Sequence, residues 1–566
     1  MIKVKAPAPS DSAVTRDHSG FQGNPNPPPW FLRKGYPLLW FAIVAFMLFM
    51  QTISFKYTYL DDQTLILGSM DKLKSVSYVT KAFNEDVFHA PSTRGFYYRP
   101  VLTLSFMADA LTGGGNISMF HFSNIVYHIL AAFLLFLFFV EAGFDRVKSF
   151  LFTLIFLVHP MVTQAVAWIP GRNDSLLAIF ILGSFLFWLK YLKTGSVSHL
   201  LFHLVFYLVA LFTKENAIVL PVLVIFYSVV VVRTPAKKYL FPAVGWILLT
   251  FFWAVVRNHA LSGGNGVSFA EQLLSVVKNL PAVIPFLGKM LFPFDLSVFP
   301  ILADMKVSTL LGIVAIVVLA VVAGITKPKR WLLYLFCISW FLGFLIPSFV
   351  SVNNLIRDFS EHRSYLSLVG ILLFFIATDP VKKADFSKMM PVLAISGVGI
   401  LFVILSFIHT RYFKDQFTFW QNAVDTSPTH AFNYNNLGAM YYLAGDLEKA
   451  EPLFRKALQI NPAEPIANGN TGLVCMNTGR PAEAERYYLE EIRINPTYDH
   501  AYYNLGLLYY NQSKMEEGIQ QWEKTLTVNP GYIDAYKALI FAYEKLNRAE
   551  DYRRIVLKAK ENGIVL

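Results

Sequence analysis

The chain has 566 residues, of which 55% are hydrophobic and only 15% are charged, whereas soluble domains are about a quarter charged. The net charge of +11 comes from short loops between apolar runs, and no basic stripe interleaved with aromatic residues is present, so a nucleic-acid partner is excluded. The two cysteines, Cys337 and Cys475, are too few and too far apart for a disulfide framework or a cysteine metal site.

The composition divides the chain into three parts. Residues 1–35 are rich in Pro, Ser and Asn and contain no apolar signal sequence, so we expect a disordered cytoplasmic tail. Residues 36–410 contain repeated apolar runs, several near the ~20 residues that a membrane-spanning helix needs. Residues 411–566 have the composition of a soluble helical domain. The predicted fold class is all-α: a polytopic membrane helix bundle followed by a soluble α-solenoid.

About eleven spans are predicted in the bundle, and lysines and arginines occupy every second loop between them. The positive-inside rule places these basic loops, from Arg33 and Lys34 onward, in the cytosol. The first outer loop, 56–118, and the C-terminal domain then lie on the non-cytosolic side. The predicted spans are 36–55, 119–140, 148–168, 174–192, 198–213, 216–232, 239–257, 306–326, 331–349, 364–378 and 391–409.

The segment 258–305 must begin and end on the non-cytosolic side. Its apolar stretch is interrupted by Pro281, Pro285 and Pro293, which favours a re-entrant or interfacial segment, with a two-span hairpin as the alternative. Irregular backbone at membrane depth is tolerated only against protein or a wet cavity, so this segment is expected to line a site.

Charged residues are few at the outer ends of the spans, and they are grouped there. Asp61 and Asp62 follow the first span, where a carboxylate can take a proton from a hydroxyl, help to hold a divalent cation, or simply cap the next helix. Arg99 lies in an aromatic stretch, where it binds a phosphate or extends to the interface. Further cations at the outer ends are Arg172, Lys214 and Arg363. Two acids facing four cations suit a lipid-linked phosphate donor and a hydroxyl acceptor.

Other polar residues of the spans are predicted to support this site. His121, Asn124 and His128 form one stripe on the second span, which favours interhelical hydrogen bonds over metal ligation. Asp174 is expected to cap the fourth span. Lys214 and Glu215 are expected to form an ion pair with each other or across helices. The remaining supporting candidates are His159, Glu361 and His362.

The C-terminal part contains a tetratricopeptide repeat (TPR). Prolines at 428, 462, 496 and 530 recur every 34 residues, which is the TPR period, with the expected Gly, Ala and aromatic residues between them. The repeats are predicted at 431–464, 465–498 and 499–532, with a capping unit at 533–566. A half repeat around Trp420 would fuse the array to the last span. Stacked helix pairs leave a concave groove that usually holds a polypeptide.

Several short motifs follow one another along the bundle in a fixed order. They are Tyr59-Leu60-Asp61-Asp62, Tyr98-Arg99-Pro100-Val101, His121 to Asn124 with His128, His159-Pro160 to Ala167, Gly171 to Asp174, Lys214-Glu215, and Glu361 to Tyr365. This series resembles the GT-C superfamily of polyprenyl-phosphate-dependent glycosyltransferases. It is most similar to the transmembrane-and-TPR protein O-mannosyltransferases and their bacterial relatives. Two positions depart from the family pattern: Gln164 stands where a glutamate is expected, and His362 interrupts a Glu-Arg pair.

The resemblance implies transfer of a mannose-like monosaccharide, with inversion, from a polyprenyl-phosphate donor to a hydroxyl acceptor outside the cytosol. It implies Asp61 or Asp62 as the base and Arg99 and Arg363 near the donor phosphate, with a protein or peptide acceptor held by the TPR groove. Compact loops favour a bacterial inner membrane with periplasmic repeats. One alternative is a non-enzymatic scaffold that recruits envelope proteins. Another is a transporter or flippase, which would need charges at mid-bilayer and repeated sets of spans, and the sequence has neither.

Overall fold

The computed structural model describes residues 29–88, 97–261, 268–326, 330–350, 358–386 and 388–564. Within these ranges the chain is helical and contains no β-strand, so the predicted all-α class is confirmed. Residues 1–28 of the predicted tail and the basic residues Lys327 and Lys329 lie outside the described residues.

The first eighteen α-helices form the bundle. They are α1 (Tyr36–Phe49), α2 (Met70–Leu73), α3 (Tyr78–Ala82), α4 (Pro100–Thr112), α5 (Ile117–Glu141), α6 (Arg146–Val158), α7 (Thr163–Ala167), α8 (Arg172–Thr194), α9 (Val197–Thr213), α10 (Leu220–Phe226), α11 (Lys237–Ala260), α12 (Phe269–Asn279), α13 (Val283–Leu291), α14 (Lys306–Ile325), α15 (Trp331–Leu345), α16 (Tyr365–Ile376), α17 (Asp379–Lys383) and α18 (Met389–Thr410).

In the part of the chain that the structure describes, nine helical stretches are long and apolar enough to cross a membrane, and one bent pair would make ten. This number fits a multi-pass membrane protein. Two of the eleven predicted spans are helices shorter than these nine stretches. The span predicted at 198–213 is the short apolar helix α9. The span predicted at 364–378 is α16, which has 12 residues and is buried along almost its whole length.

The span predicted at 148–168 is broken. Residues Arg146–Val158 and Pro160–Ala167 meet at an angle of 56°. Pro160 has no N–H to donate, so the helical hydrogen-bond ladder is interrupted there. Ser406 of α18 donates to the freed carbonyl of Val158 at 2.8 Å, and the His159 ring accepts from the Met161 N–H at 3.2 Å. The break turns the residues after His159 across the end of the bundle.

The basic loops lie together at one end of the bundle, as the charge pattern predicts. The side chain of Arg146, the first residue of α6, donates to the carbonyl of Leu32, just before α1, at 2.9 Å. Lys148 donates to the carbonyl of Lys382 in α17. We call this the basic end, and the opposite end, on which the C-terminal domain packs, the repeat end.

The segment 258–305 forms α12 and α13. Residues Ala270–Leu291 are long enough to span a membrane, but Asn279, the last residue of α12, donates to the Phe349 carbonyl at 2.9 Å. At its other end the Met290 carbonyl contacts the His159 ring at 2.9 Å. Because Phe349 and His159 both lie at the repeat end, the segment from Asn279 to Met290 is held at that end, which fits the predicted re-entrant or interfacial segment.

Close packing holds α13 in this position. A Cβ atom on Gly288 would lie 2.1 Å from the carbonyl oxygen of Ser308, and one on Gly312 would lie 2.1 Å from that of Ile284. The two glycines therefore let α13 cross α14 with their backbones in contact, as small residues do between membrane helices.

The C-terminal domain is a solenoid of helix pairs that follows α18 directly. Its helices are α19 (Gln416–Thr426), α20 (Ala431–Leu443), α21 (Leu447–Ile460), α22 (Ala467–Asn477), α23 (Pro481–Ile494), α24 (Asp499–Asn511), α25 (Met515–Val528), α26 (Ile533–Lys545) and α27 (Ala549–Glu561). The buried alanines and aromatics of the repeat pattern, such as Ala450, Phe454, Ala484 and Tyr488, form its core.

The array packs against the repeat end through α19 and the start of α20. The Trp420 indole donates to the Thr58 carbonyl at 3.0 Å, and the Val298 N–H donates to the Asn422 amide oxygen at 3.1 Å. The ring of Phe299 stacks on that of Phe432, with centroids 5.5 Å apart. These contacts fix the array against the same end of the bundle that carries the candidate site residues.

Candidate active site

The two adjacent aspartates after α1 have different surroundings. Asp62 is buried, and its carboxylate accepts hydrogen bonds from the Thr58 N–H at 2.7 Å, the Thr58 hydroxyl at 3.1 Å and the Leu60 N–H at 3.0 Å. Asp61 is partly exposed, and its carboxylate makes no hydrogen bond or ion pair within the described residues. Asp62 therefore holds the turn, and that turn presents Asp61.

Three pairs of a cation and a carboxylate lie at the repeat end. Arg99 contacts Glu215 with Nε at 3.2 Å and Nη2 at 3.1 Å. The remaining pairs are Lys214 with both oxygens of Asp174, each at 2.8 Å, and Arg363 with both oxygens of Asp358, at 2.9 and 3.0 Å. Asp174 lies in α8, and Lys214 and Glu215 follow α9. Asp358 and Arg363 precede α16, and Arg99 precedes α4, so the three pairs join four parts of the bundle.

The electrostatic field at Asp61 comes from these same residues. Burial is the main reason that the pKa of Asp61 is raised to about 7, and the carboxylates of Asp358 and Asp62 raise it further. Arg99 and Arg363 act in the opposite direction. Burial also raises the pKa of Asp62, to about 6, against the hydrogen bonds from Thr58 and Leu60. A carboxyl group whose pKa is near neutrality can take up and release a proton at the pH of the cell.

The four cations predicted to bind a phosphate differ in how far their side chains are exposed. The side chains of Arg99 and Arg363 are 18% and 25% exposed, so both can reach a ligand. The Lys214 side chain is 7% exposed and is paired with Asp174. Arg172 is 0% exposed. Of the four cations, Arg99 and Arg363 are thus the two that a ligand can reach, whereas Lys214 and Arg172 are enclosed.

Arg172 is enclosed by protein groups and cannot face a phosphate, so the prediction that it does so is wrong. It donates to Asp109 at 2.5 Å, to the Asn124 amide oxygen at 2.8 Å and to the Phe120 carbonyl at 2.6 Å. Its guanidinium also lies over three aromatic rings, those of Phe106, Phe120 and Tyr127. Buried cations need such partners, and these hold Arg172 between α4, α5 and α8.

The predicted cap role of Asp174 needs correction, whereas the pairing of Lys214 and Glu215 across helices, one of the two predicted alternatives, is confirmed. Helix α8 begins at Arg172, so Asp174 lies inside the first turn and is not its cap. Its carboxylate pairs with Lys214 across helices, while Glu215 pairs with Arg99 and not with Lys214.

Glu361 lies in a buried group behind Arg363. It accepts from Lys289 of α13 at 2.7 Å and from the Ser297 N–H at 2.9 Å. One of its oxygens lies 3.1 Å from the His409 ring of α18. Burial alone would raise the pKa of Glu361, but Lys289 and His409 outweigh it and lower the pKa to about 2. The ionised Glu361 therefore joins α13, α18 and the turn that carries Arg363.

The predicted supporting histidines occupy structural positions near the site. His128 hydrogen-bonds the Tyr365 hydroxyl at 2.6 Å and the Leu157 carbonyl at 3.0 Å, which joins α5 to α16 and α6, as the stripe predicts. His159 contacts α13, as described above. His121 is buried, and neither of its ring nitrogens has a hydrogen-bond partner in the described part of the chain.

The two departures from the family pattern contact each other. The Gln164 amide oxygen accepts the His362 N–H at 3.1 Å, and its NH₂ group donates to the Val298 carbonyl at 3.1 Å. The Gln164 amide thus donates one hydrogen bond and accepts another. An ionised glutamate only accepts hydrogen bonds, so a glutamate at this position would have to be protonated to make both.

Sequence reasoning missed three charged residues of this region. Asp358 orients Arg363, Lys289 neutralises Glu361, and Asp109 neutralises Arg172. A signal was available for Lys289, because a lone lysine in an apolar helix requires a partner. Asp109 was detectable in the same way within α4. Asp358 lies in a loop whose pairing depends on the fold, so the sequence carried no comparable signal for it.

Within the described residues Asp62 is engaged in hydrogen bonds and Asp61 is not. Both oxygens of Asp62 already accept hydrogen bonds. The described residues also contain no group of three or more His, Cys, Asp or Glu side chains placed to hold a metal ion. Asp61 therefore supplies the one carboxylate of this turn that has no partner among the described residues, and Arg99 and Arg363 are the cations that act on it.

Family models for the tetratricopeptide repeat match residues 431–463 and 470–532, which confirms the predicted repeats. Together with the apolar helices, they define a multi-pass membrane protein with a C-terminal TPR solenoid. A crystal structure of MamA is similar over 26% of this chain and 89% of its own, with 22% identity and a TM-score of 0.24.

Within that class, the relatives of the chain are the TMTC protein O-mannosyl-transferases, as the motifs predict. It is 28% identical over 180 residues to protein O-mannosyl-transferase Tmtc1 of Drosophila melanogaster and 31% identical over 162 residues to TMTC2 of Homo sapiens. These matches cover 31% and 28% of this chain. The chain spans about a fifth of the length of these curated relatives, 21% and 19% respectively.

Proposed function

We propose that this chain is a membrane glycosyltransferase that moves a mannose-like monosaccharide from a polyprenyl-phosphate donor to a hydroxyl group of a protein, with Asp61 as the base. The observation that carries the proposal is the free Asp61 carboxyl, whose raised pKa is set by burial and by Asp358, Arg99 and Arg363. The name of its relatives, protein O-mannosyl-transferase, supports the reaction type.

The proposed reaction is a single displacement. The acceptor hydroxyl oxygen forms a bond to the anomeric carbon of the sugar, and the bond from that carbon to the donor phosphate oxygen breaks, so the configuration inverts. The hydroxyl proton passes to the Asp61 carboxylate. Arg99 and Arg363 offset the charge that develops on the leaving polyprenyl phosphate. Glu215 and Asp358 keep the two guanidinium groups in place.

We propose that the repeat end faces away from the cytosol, in a bacterium the periplasm. Lysines and arginines gather at the opposite end, where the positive-inside rule places the cytosol. On this arrangement the polyprenyl tail lies in the bilayer with its phosphate at the repeat end, and the TPR array is on the same side as the acceptor.

The experiment compares sugar transfer by the full chain and its Asp61→Asn variant in lipid nanodiscs, with polyprenyl-phosphate mannose and a Ser/Thr-rich peptide, read by mass spectrometry of the peptide. Loss of a general base costs about 10²–10⁴-fold in rate, and that loss is expected here. Asp71→Asn is the matched control, because Asp71 is an exposed aspartate of the same loop.

Two outcomes would contradict the proposal. If Asp61→Asn transfers sugar at the rate of the unchanged chain, Asp61 is not the base. If the unchanged chain transfers no sugar but captures envelope proteins through its repeats, it is the non-enzymatic scaffold.

A further inference from the structure

Three cations lie together where the bundle joins the array. Arg411 and Lys414 directly follow α18, and Lys56 comes two residues after the short turn Met50–Ser54 that extends α1. The Lys56 N–H donates to the Lys414 carbonyl at 2.8 Å, and the Lys414 N–H donates to the Arg411 carbonyl at 3.2 Å. All three residues are exposed. We call Lys56, Arg411 and Lys414 the junction cations.

No carboxylate neutralises the junction cations. None of them forms an ion pair with a described residue, in contrast to the cations of the candidate active site. The neighbouring carboxylate of Asp415 accepts the Thr418 N–H at 2.9 Å and caps α19. The Arg411 guanidinium lies over the ring of Phe407, 4.8 Å from its centroid. Uncompensated positive charge therefore remains at this junction.

An apolar surface leads along the bundle to the junction cations. Helices α1 and α18 contact each other, and only 11% of the most apolar part of α18 is buried inside the protein. In a multi-pass membrane protein, such uncovered apolar helix faces contact lipid chains. The exposed apolar residues nearest the junction are Met47 and Met50 on the first helix and its extension, and Leu401, Ile404, Phe407 and Ile408 on α18.

The junction cations lie at the boundary between this apolar surface and the polar array. Tyr412, between Arg411 and Lys414, is 36% exposed, and tyrosine is typical of the membrane–water interface. Long cationic side chains at such a boundary rest their apolar stems on the helix surface and hold their charges at headgroup level. A lipid with a negative headgroup meets a complementary surface here along its whole length.

The open form of this surface favours a bulk lipid over the donor. Arg99 and Arg363, the proposed donor contacts, are partly enclosed and each is oriented by a carboxylate. The junction cations have no such partners and no enclosing residues, so they select a ligand by its charge. The phosphodiester group of an anionic phospholipid fits that kind of selection.

We propose that the junction cations bind the headgroup phosphate of an anionic phospholipid whose acyl chains lie on α1 and α18. The inference does not depend on sugar transfer. Lys56 lies two residues before Thr58, whose N–H donates to Asp62. A headgroup that neutralises Lys56 and Lys414 together removes their mutual repulsion, and it strengthens the attachment of the aspartate turn to the start of the array.

The test is native mass spectrometry of the full chain in a nonionic detergent, titrated with phosphatidylglycerol or with phosphatidylcholine of the same acyl chains. The fraction of protein that carries one added lipid gives the affinity. A Lys or Arg beside an anionic lipid surface contributes about fivefold in binding. Phosphatidylglycerol should therefore bind at least about tenfold more tightly than phosphatidylcholine.

The matching protein variant is Lys56→Gln/Arg411→Gln/Lys414→Gln, which should lower the affinity for phosphatidylglycerol at least about tenfold and leave that for phosphatidylcholine unchanged. Its control is Lys456→Gln/Lys524→Gln/Lys537→Gln, which removes the same charge from exposed lysines of the array and should bind both lipids like the unchanged chain. If the triple variant does not fold, Lys414→Gln alone serves, with a loss of about fivefold expected.

Three results would overturn the inference. In the first, phosphatidylcholine binds as tightly as phosphatidylglycerol, or the junction variant binds phosphatidylglycerol like the unchanged chain. In the second, the junction variant loses affinity for polyprenyl phosphate as strongly as for phosphatidylglycerol, which would assign the cations to the donor. In the third, an acidic peptide such as hexaglutamate displaces phosphatidylglycerol at equal concentration, which would make the surface a protein docking site. Failure of the catalytic proposal changes none of these lipid affinities.

Discussion

At the residue scale, two neighbouring aspartates illustrate how position in the fold sets chemistry. Three hydrogen bonds hold the Asp62 carboxylate in the turn, whereas the Asp61 carboxylate makes none with the residues that the structure describes. A carboxylate that accepts several backbone N–H bonds is stabilised as the anion and is a weaker base, so the free one is the better proton acceptor. The division of labour between the two acids follows from the turn and not from their residue type.

The pH dependence of transfer follows from the pKa of Asp61. A base must be deprotonated to act, so kcat/KM should rise with pH and level off above an inflection near the pKa of about 7. In Asp358→Asn a negative charge that raises this pKa is lost, and the inflection should move to lower pH. The measurement is the pH profile of kcat/KM for the unchanged chain, Asp358→Asn and the control Asp71→Asn. An inflection that stays in place, or moves upward, in Asp358→Asn would count against Asp61 as the titrating group.

Part of this site could be predicted from the sequence, and the reason is local. Asp61, Arg99 and Arg363 each lie at the end of an apolar run, where a charged residue is costly without a role. The pairing of Arg363 with Asp358, and the enclosure of Arg172, depend on which helices become neighbours. The sequence gives no direct measure of that, so four cations that look alike in sequence divide into exposed and enclosed ones only in the fold.

At the element scale, the same limit applies to the spans. Apolar length predicted most of the helices, because a run near 20 residues crosses a bilayer. Apolar length did not predict the bend at Pro160 or the course of α13, although the prolines of the segment 258–305 favoured a re-entrant or interfacial course for α13. Both depend on contacts from other helices, through Ser406 in the first case and Gly312 in the second. These two elements place His159 and Lys289 beside the site.

Arg172 and Arg363 should respond differently to replacement by methionine. Arg172→Met leaves Asp109 buried without its partner, which costs about 3–5 kcal/mol. Arg363→Met breaks a partly exposed pair, which costs about 0–1 kcal/mol, but removes a proposed phosphate contact. Thermal unfolding in detergent should therefore show a loss of stability for Arg172→Met only. Binding of polyprenyl phosphate should weaken for Arg363→Met while its unfolding temperature stays close to that of the unchanged chain. The reverse pattern would exchange the roles of the two arginines.

At the scale of the whole molecule, the array and the bundle share structural elements. The Trp420 indole donates to the Thr58 carbonyl, and the Thr58 N–H donates to Asp62, so the turn of the proposed base is tied directly to the first helix of the array. The segment 297–300 contacts Glu361 and Phe359 on one side and Asn422 and Phe432 on the other. The groove and the base are therefore held in one arrangement, without a flexible linker between α18 and α19.

A disulfide between the two parts tests whether transfer needs them to separate. The hydroxyls of Ser297 and Thr426 are 2.6 Å apart, so Ser297→Cys/Thr426→Cys should oxidise readily, and the native cysteines, both buried and unpaired, should not interfere. Because the acceptor is proposed to run along a fixed groove, the oxidised and reduced forms should transfer sugar at rates within about twofold of each other. Counting free thiols by mass spectrometry shows how much of each preparation is oxidised. Each single cysteine variant controls for the substitutions alone. A large loss of transfer on oxidation that a reductant restores would show that the array must move away from the bundle during each turnover. A fixed path along the array to Asp61 would then be wrong.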